Sequence, residues 1–235
     1  MFVEEKYFIG YQYVDADLKM KNRAILCILQ DMAGLHGILA GEGIKTSPTT
    51  WLLSAYRVVV KKRPEYGDRV TVRTWSREIK NFSACREFEM LNSEGEVVVT
   101  AISEWAHINR VNNTLEKCTP ELADAYCHEP NYSNFDGVLR VKRLKTPENV
   151  DAEIEFTVGR SWIDANRHMN NVYYLDLAEM VIPDESRADD FSIFYRREIK
   201  FGESVDCRFS RVEDGGFVSV VGKDGTLHAQ IMLYK

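Results

Sequence analysis

A set of residues returns at one fixed spacing along this chain. Gly10, Asp15, Ala16, Met20 and Asn22 recur as Gly159, Asp164, Ala165, Met169 and Asn171, each 149 positions later. Within 235 residues, self-similarity of that kind predicts two like modules of about 100 residues, each able to bury a modest core. The copies differ where chemistry would sit. The first runs Asp15-Ala16-Asp17-Leu18-Lys19-Met20 and the second Asp164-Ala165-Asn166-Arg167-His168-Met169, so only the second sets an amide and an imidazole two residues apart.

The formal net charge of -6 argues against general affinity for nucleic acid or anionic membrane, since both are held through summed Lys/Arg contacts. The opening Met1-Phe2-Val3-Glu4-Glu5-Lys6 lacks a basic stretch followed by an apolar one, and no run reaches the roughly 18 apolar residues of a membrane span. A cytoplasmic protein without stable membrane insertion is expected. Cys27, Cys85, Cys118, Cys127 and Cys207 are odd in number, scattered and without a CxxC pair, which fits reduced thiols. Three Asn-x-Ser/Thr triplets, at Asn81, Asn112 and Asn131, carry meaning only in a secreted chain and are discounted.

Helical spacing of Ile25, Leu26, Leu29, Met32, Ala33 and Leu39 predicts a helix over about Asn22 to Ala40, stopped by Gly41 and Gly43. Gly34 and Gly37 weaken it, and the expectation is that sheet backbone or a bound chain approaches them closely. Strands are expected at Leu52 to Lys61, Asp68 to Glu78, Ala84 to Asn92 and Glu96 to Ile108. The second module repeats the order. A strand near Glu153 to Val158 and a helix from about Asn170 to Ile182 precede strands at Ser192 to Phe201, Glu203 to Glu213, Phe217 to Lys223 and Thr226 to Tyr234. Strand, helix and a curved run of strands, done twice, is an α+β architecture. The expected domains are 1–128 and 150–235, joined by a linker over 129–149 that contains Pro130 and Pro147 and the polar run Asn131-Tyr132-Ser133-Asn134.

The stretch Asp164 to Tyr174 sets polar side chains just ahead of a helix, whose first-turn N–H groups can polarise a carbonyl oxygen. Asn170 or Asn171 could equally be the helix N-cap. A calcium loop is rejected, because His168, Met169 and Leu175 stand where an acid or amide, a glycine and a glutamate are required. No local spacing supplies enough ligands for another metal.

The register Asp164-x-Asn166-x-His168-x-Asn170-Asn171-x-x-Tyr174 resembles the motif of the acyl-ACP thioesterases, and Tyr195-Arg196-Arg197-Glu198 matches a second block of that family. Trp51-Leu52-Leu53, Tyr66-Gly67-Asp68 with Trp75, and Trp105 followed by Asn109 extend the likeness over most of the chain. The resemblance implies two tandem hotdog domains, each a long helix wrapped by a curved antiparallel sheet, paired as a pseudo-dimer. It implies a catalytic set of Asp164, Asn166, His168 and Glu198, no cofactor, and a fatty acyl chain on acyl carrier protein as substrate and partner. Plant members carry a cysteine after that glutamate; here the residue is Ile199, so water activated by Glu198 is the expected nucleophile. Aligning Gly67-Asp68-Arg69-Val70 with Gly202-Glu203-Ser204-Val205 sets an offset of 135 and makes Arg63 the counterpart of Glu198. The first module, with Asp17, Lys19 and Arg63, cannot run the same reaction.

Gly34, Gly37 and Trp51 are expected near the acyl pocket, with Asn170 and Asn171 near the thioester. Arg140, Lys142, Arg143 and Lys145, or Lys61, Lys62 and Arg63, are candidate contacts for the acidic carrier. Acyl-CoA hydrolysis by the same machinery and non-catalytic acyl-lipid binding are the alternatives. The sequence is as compatible with a homodimer as with a single chain.

Overall fold

The computed structural model describes all residues except 44–46, 138, 140–143 and 184–187. The chain divides into two compact units, Met1–Arg140 and Val141–Lys235. Unit 1 contains β1 (Val3–Phe8), α1 (Asn22–Leu39), β2 (Thr49–Val60), β3 (Arg69–Lys80), β4 (Ser83–Leu91), β5 (Val97–Asn109), the two-residue β6 (Thr114–Leu115) and α2 (Pro120–Ala125). Its strands run in the order β1-β3-β4-β5-β2, with β6 beside β5, and every pairing is antiparallel. Unit 2 contains β7 (Ala152–Thr157), α3 (Tyr173–Val181), β8 (Asp190–Tyr195), β9 (Ser204–Val212), β10 (Gly215–Gly222) and β11 (Leu227–Tyr234).

The order in unit 2 is β8-β11-β10-β9-β7, again antiparallel throughout. Strand for strand this is the same topology. The register repeats as well: Phe8 lies opposite Arg69, and Thr157, 149 residues beyond Phe8, lies opposite Ser204, 135 beyond Arg69. The offset falls between the two because the helical portion is shorter in unit 2, nine residues in α3 against 18 in α1.

Burial explains both helices. Ile25, Leu26, Ile28, Leu29, Met32 and His36 put one face of α1 in the core, and Tyr174, Leu175, Leu177, Ala178 and Val181 do so for α3. Trp75, Tyr56 and Phe88 are the bulkiest fully buried groups on the sheet of unit 1. Phe191, Ile193, Val205, Cys207, Val218, Val220 and Ile231 fill unit 2.

Three expectations need correction. The helix of unit 2 starts at Tyr173 rather than near Asn170, because Asn170 Oδ1 accepts the Val172 N–H at 3.2 Å and bends the chain before the helix begins. It ends at Val181 because Pro183 pushes Ile182 out of helical geometry, to ψ 124. Second, β8 stops at Tyr195, so Glu198 lies beyond the strand and not on it. The N–H groups of Arg196 and Arg197 share the His228 carbonyl at 2.8 and 3.2 Å, a bulge that ends the ladder, just as Lys61 and Lys62 share the Val98 carbonyl after β2. Third, no sheet backbone crowds the two glycines of α1. A Cβ on Gly34 would meet nothing within 4 Å, and one on Gly37 would make ordinary contact with the Tyr126 hydroxyl at 3.5 Å.

The segment expected to start the linker is strapped onto unit 1. On β4, Glu87 and Glu89 alternate with Arg86, Phe88 and Met90, and both carboxylates are buried, 0% and 1% exposed. Glu87 accepts from Ser133 Oγ at 2.6 Å, the Asn134 N–H at 2.8 Å and Arg77 Nη1 at 2.9 Å. Glu89 accepts from the Tyr132 hydroxyl and Asn134 Nδ2, both at 2.8 Å. α2, capped by Thr119 with Pro120 in its first turn, leads into this strap. Thr119-Pro120 is a helix start signal legible in the sequence. Glu87→Ala removes the buried acceptor shared by Ser133 Oγ, the Asn134 N–H and Arg77, and should cost about 3 kcal/mol in urea unfolding. The same variant should open 129–137 to proteolysis.

Candidate active site

The loop ahead of α3 is built by a few short-range hydrogen bonds. The Asp164 N–H reaches the His168 carbonyl at 3.0 Å, the Arg167 N–H reaches the Asp164 carbonyl at 3.0 Å, and Asn170 N–H reaches the Trp162 carbonyl at 2.9 Å. Asp164 Oδ1 accepts the Asn166 N–H at 2.8 Å. Arg167 sits at φ 68, a left-handed conformation that a tight turn demands. Each of these features has its twin in unit 1. Asp15 N–H to Lys19 at 2.9 Å, Leu18 N–H to Asp15 at 3.1 Å and Lys21 N–H to Tyr13 at 2.9 Å close the same turn. Asp15 Oδ1 accepts the Asp17 N–H at 2.9 Å, and Leu18 sits at φ 61. Asp164 therefore shapes the loop as Asp15 does, and the second loop differs from the first in carrying Asn166 and His168 on that shared turn.

One hydrogen bond joins that loop to the stretch holding Glu198: the Met169 N–H donates to the Ile199 carbonyl at 2.7 Å. His168 and Glu198 are each one residue away from it. In unit 1 the Met20 N–H donates to the Pro64 carbonyl at 2.9 Å, which puts Arg63 in the position of Glu198 by geometry as well as by alignment. The Ile199 side chain is fully buried, so side chains at that position face the core.

His168 is 13% exposed; its Nδ1 lies 3.3 Å from the Met169 carbonyl and 3.9 Å from Asp164 Oδ1. Both neighbours are acceptors, so the proton belongs on Nδ1 and the Nε2 lone pair is left for another group. The Asn166 side chain is exposed and its amide makes no hydrogen bond among the described residues. Glu198 is 50% exposed and pairs with Lys200 Nζ at 3.3 Å. No direct bond joins its carboxylate to His168 or Asn166 among the described residues, so the group that links them must come from solvent or substrate. Tyr174 underlies the site, its buried hydroxyl donating to the Arg197 carbonyl at 3.3 Å; burial first, then the charge of Glu198, raises its pKa. Asn170 is occupied with its turn, and the Asn171 carbonyl accepts from the Tyr195 hydroxyl at 3.0 Å.

In unit 1 the groups at Lys19 and Arg63 are engaged with their own surroundings. Lys19 pairs with Glu65 at 3.1 Å, and Arg63 Nη1 donates to the Met20 carbonyl at 2.6 Å. That leaves Lys61 and Lys62 as the exposed part of that basic run. Of the other basic run, Arg140, Lys142 and Arg143 lie outside the described residues, and Lys145 is exposed.

Gly37 and Trp51 converge on Tyr126, while Gly34 is exposed and apart from them. Trp51 Nε1 donates to Glu42 Oε2 at 2.5 Å and lies 3.0 Å from the Tyr126 hydroxyl. Among the cysteines, burial pushes the thiols of Cys85 and Cys207 up to about 12 and that of Cys118 to about 11. They are poor nucleophiles.

A helix packed on a five-stranded antiparallel sheet of this order, present twice, defines a tandem hotdog protein. Solved structures share the fold: an acyl-ACP thioesterase from Bacteroides thetaiotaomicron has a TM-score of 0.88 at 21% identity, covering 99% of this chain and 97% of that one. A 12:0-ACP thioesterase from Umbellularia californica has a TM-score of 0.82 at 19% identity, covering 98% and 95%. The acyl-ACP thioesterase N-terminal domain family matches residues 1–126, and the corresponding C-terminal domain family matches residues 145–231. The chain belongs to the acyl-ACP thioesterase family. It is 30% identical over 214 residues to a chloroplastic palmitoyl-acyl carrier protein thioesterase of Gossypium hirsutum, and 24% identical over 246 residues to an oleoyl-acyl carrier protein thioesterase of Coriandrum sativum. These alignments cover 83% and 94% of this chain but 51% and 66% of the plant proteins, so the chain spans about half to two thirds of their length.

Because Asp15 and Asp164 do the same structural work, Asp15→Ala and Asp164→Ala should each lower stability by about 1–2 kcal/mol in urea unfolding. Asp→Asn at either site, which keeps the Oδ1 acceptor, should stay within about 0.5 kcal/mol of wild type.

Proposed function

We propose that this protein hydrolyses the thioester linking a fatty acyl chain to acyl carrier protein, at the site formed by Asn166, His168 and Glu198. The observation that carries the reading is the Met169-to-Ile199 hydrogen bond at 2.7 Å, which holds an imidazole, an amide and a carboxylate around one backbone contact. Family membership supplies the substrate class.

In this mechanism water sits between the His168 Nε2 lone pair and the Glu198 carboxylate. Its oxygen attacks the thioester carbonyl carbon while Glu198 takes the proton. The Asn166 amide N–H donates to the carbonyl oxygen as negative charge develops there. The tetrahedral intermediate then expels the thiolate, which recovers the proton, and the free fatty acid leaves. Asp164 acts through the loop it shapes, holding His168 in place. Gly37 and Trp51 of unit 1 belong to the acyl pocket, and Gly34 does not. The carrier protein is acidic and meets an exposed basic patch, either Lys61 and Lys62 of unit 1 or Lys145 of unit 2. A positioned base supplies about 10²–10⁴-fold and an oxyanion donor roughly 3–4 kcal/mol, enough for an acyl group that a thioester already activates.

The test is release of free thiol from a panel of acyl-ACPs and acyl-CoAs of graded length. Glu198→Gln and His168→Ala should each lower kcat/KM on acyl-ACP at least tenfold while circular dichroism is unchanged; near-wild-type turnover in both ends the assignment. Cys85→Ser, Cys118→Ser and Cys207→Ser should leave turnover intact. Asp15→Ala should retain activity at a temperature where it is folded, whereas Asp164→Ala should lose it.

A further inference from the structure

Beneath α1, the sheet of unit 1 presents an anomaly. β4 turns Arg86, Phe88 and Met90 toward the core, and Arg86 is only 7% exposed. Ser76 on β3 and Ser103 on β5 lie directly opposite Arg86, and Tyr56 on β2 lies opposite Ser103. Directly opposed residues of antiparallel strands share a face. A row of four polar side chains, each at most 7% exposed, therefore crosses four strands on the face that packs against the helix.

The row is incompletely bonded. Arg86 Nη1 contacts His36 Nδ1 at 2.8 Å and donates to Thr74 Oγ1 at 3.1 Å, and the guanidinium lies 5.7 Å over the Tyr126 ring. Its Nε and Nη2 bond to nothing, and no carboxylate faces it, among the described residues. The Tyr56 hydroxyl and Ser76 Oγ are buried without partners among the described residues. So is His36 Nε2, which has the Tyr126 carbonyl nearby but makes no hydrogen bond of ordinary geometry. Burial first, then the Arg86 charge, lowers the His36 pKa to about 3, so the imidazole is neutral and adds no charge to the site. A buried charge without a counter-ion is strongly unfavourable, and an apolar residue at 86 would pack as Phe88 and Met90 do. Stability alone gives no reason for a guanidinium there.

We propose that the interior of unit 1, between α1 and its sheet, binds an aliphatic chain ending in a carboxylate, which pairs with Arg86 and accepts from the Tyr56 and Ser76 hydroxyls. This rests on the reading that the acyl chain enters unit 1. The carboxylate has two sources: the far end of a carboxylate-terminated acyl group carried as substrate, or the head of a released fatty acid. Arg86 is then a specificity-determining residue.

The full-length protein tests both sources. In one arm, kcat/KM is measured for two acyl-ACPs of equal chain length, one ending in methyl and one in carboxylate. In the other, binding of a free fatty acid and the matching fatty alcohol is measured by calorimetry. Wild type should hydrolyse the carboxylate-ended thioester if the substrate is the source, or bind the acid at least tenfold more tightly than the alcohol if the product is. Arg86→Gln should remove either preference by about tenfold or more, the worth of a hydrogen-bonded charge pair. Tyr56→Phe and Ser76→Ala delete unbonded hydroxyls and should weaken the preference severalfold with the fold intact, which covers the case in which Arg86→Gln misfolds. If wild type neither hydrolyses the carboxylate-ended thioester nor prefers acid over alcohol, the proposal is overturned. Acid preference without any thioester hydrolysis would sustain this site and defeat the hydrolase reading instead.

Discussion

Everything at the candidate site depends on one backbone hydrogen bond, from the Met169 N–H to the Ile199 carbonyl. Neither partner is a reactive group, and both side chains are buried. Because the bond is between backbone atoms and is enclosed by apolar residues, it is indifferent to what stands at 168 and 198 and is costly to leave unmade. Its counterpart between Met20 and Pro64 holds the equivalent loop of unit 1 with different side chains on it. The scaffold is thus separable from the chemistry. The same turn, the same left-handed residue and the same aspartate-capped N–H support an amide, an imidazole and a carboxylate in one unit, and an aspartate, a lysine and an arginine in the other.

That separation reassigns the roles within the motif. Asp164 and Asn170 belong to a block that the family resemblance treats as one functional signature, yet the side chain of each is occupied with the backbone around it. Asn166, His168 and Glu198 keep polar atoms available, and at each of them the other unit carries a different group. A polar group engaged in holding a turn has little capacity left to bind a reacting carbonyl.

β4 shows how one strand can carry two kinds of buried charge. Its outward carboxylates, Glu87 and Glu89, are met by hydroxyls, amides and guanidinium groups from the strap and from β3. Its inward guanidinium, Arg86, has a neutral imidazole, a hydroxyl and a ring face for company. The alternation Arg86-Glu87-Phe88-Glu89-Met90 reads as a half-buried strand with a wet face, and nothing local to it announces that residues 129–137 cover that face.

The sequence by itself determined the two-module plan, the α1 boundaries, the strands to within a few residues and the pairing of Glu198 with Arg63. Each of these follows from short-range periodicity or from comparing the chain with itself. Only the tertiary structure decided where β8 ends, that Gly34 is open, and that the presumed start of the linker is a strap. It also decided that a buried cation under α1 has no counter-ion among the described residues. These turn on which distant backbone carbonyl accepts a given N–H and on what lies across a sheet from a given side chain, and the chain's local pattern carries no record of either.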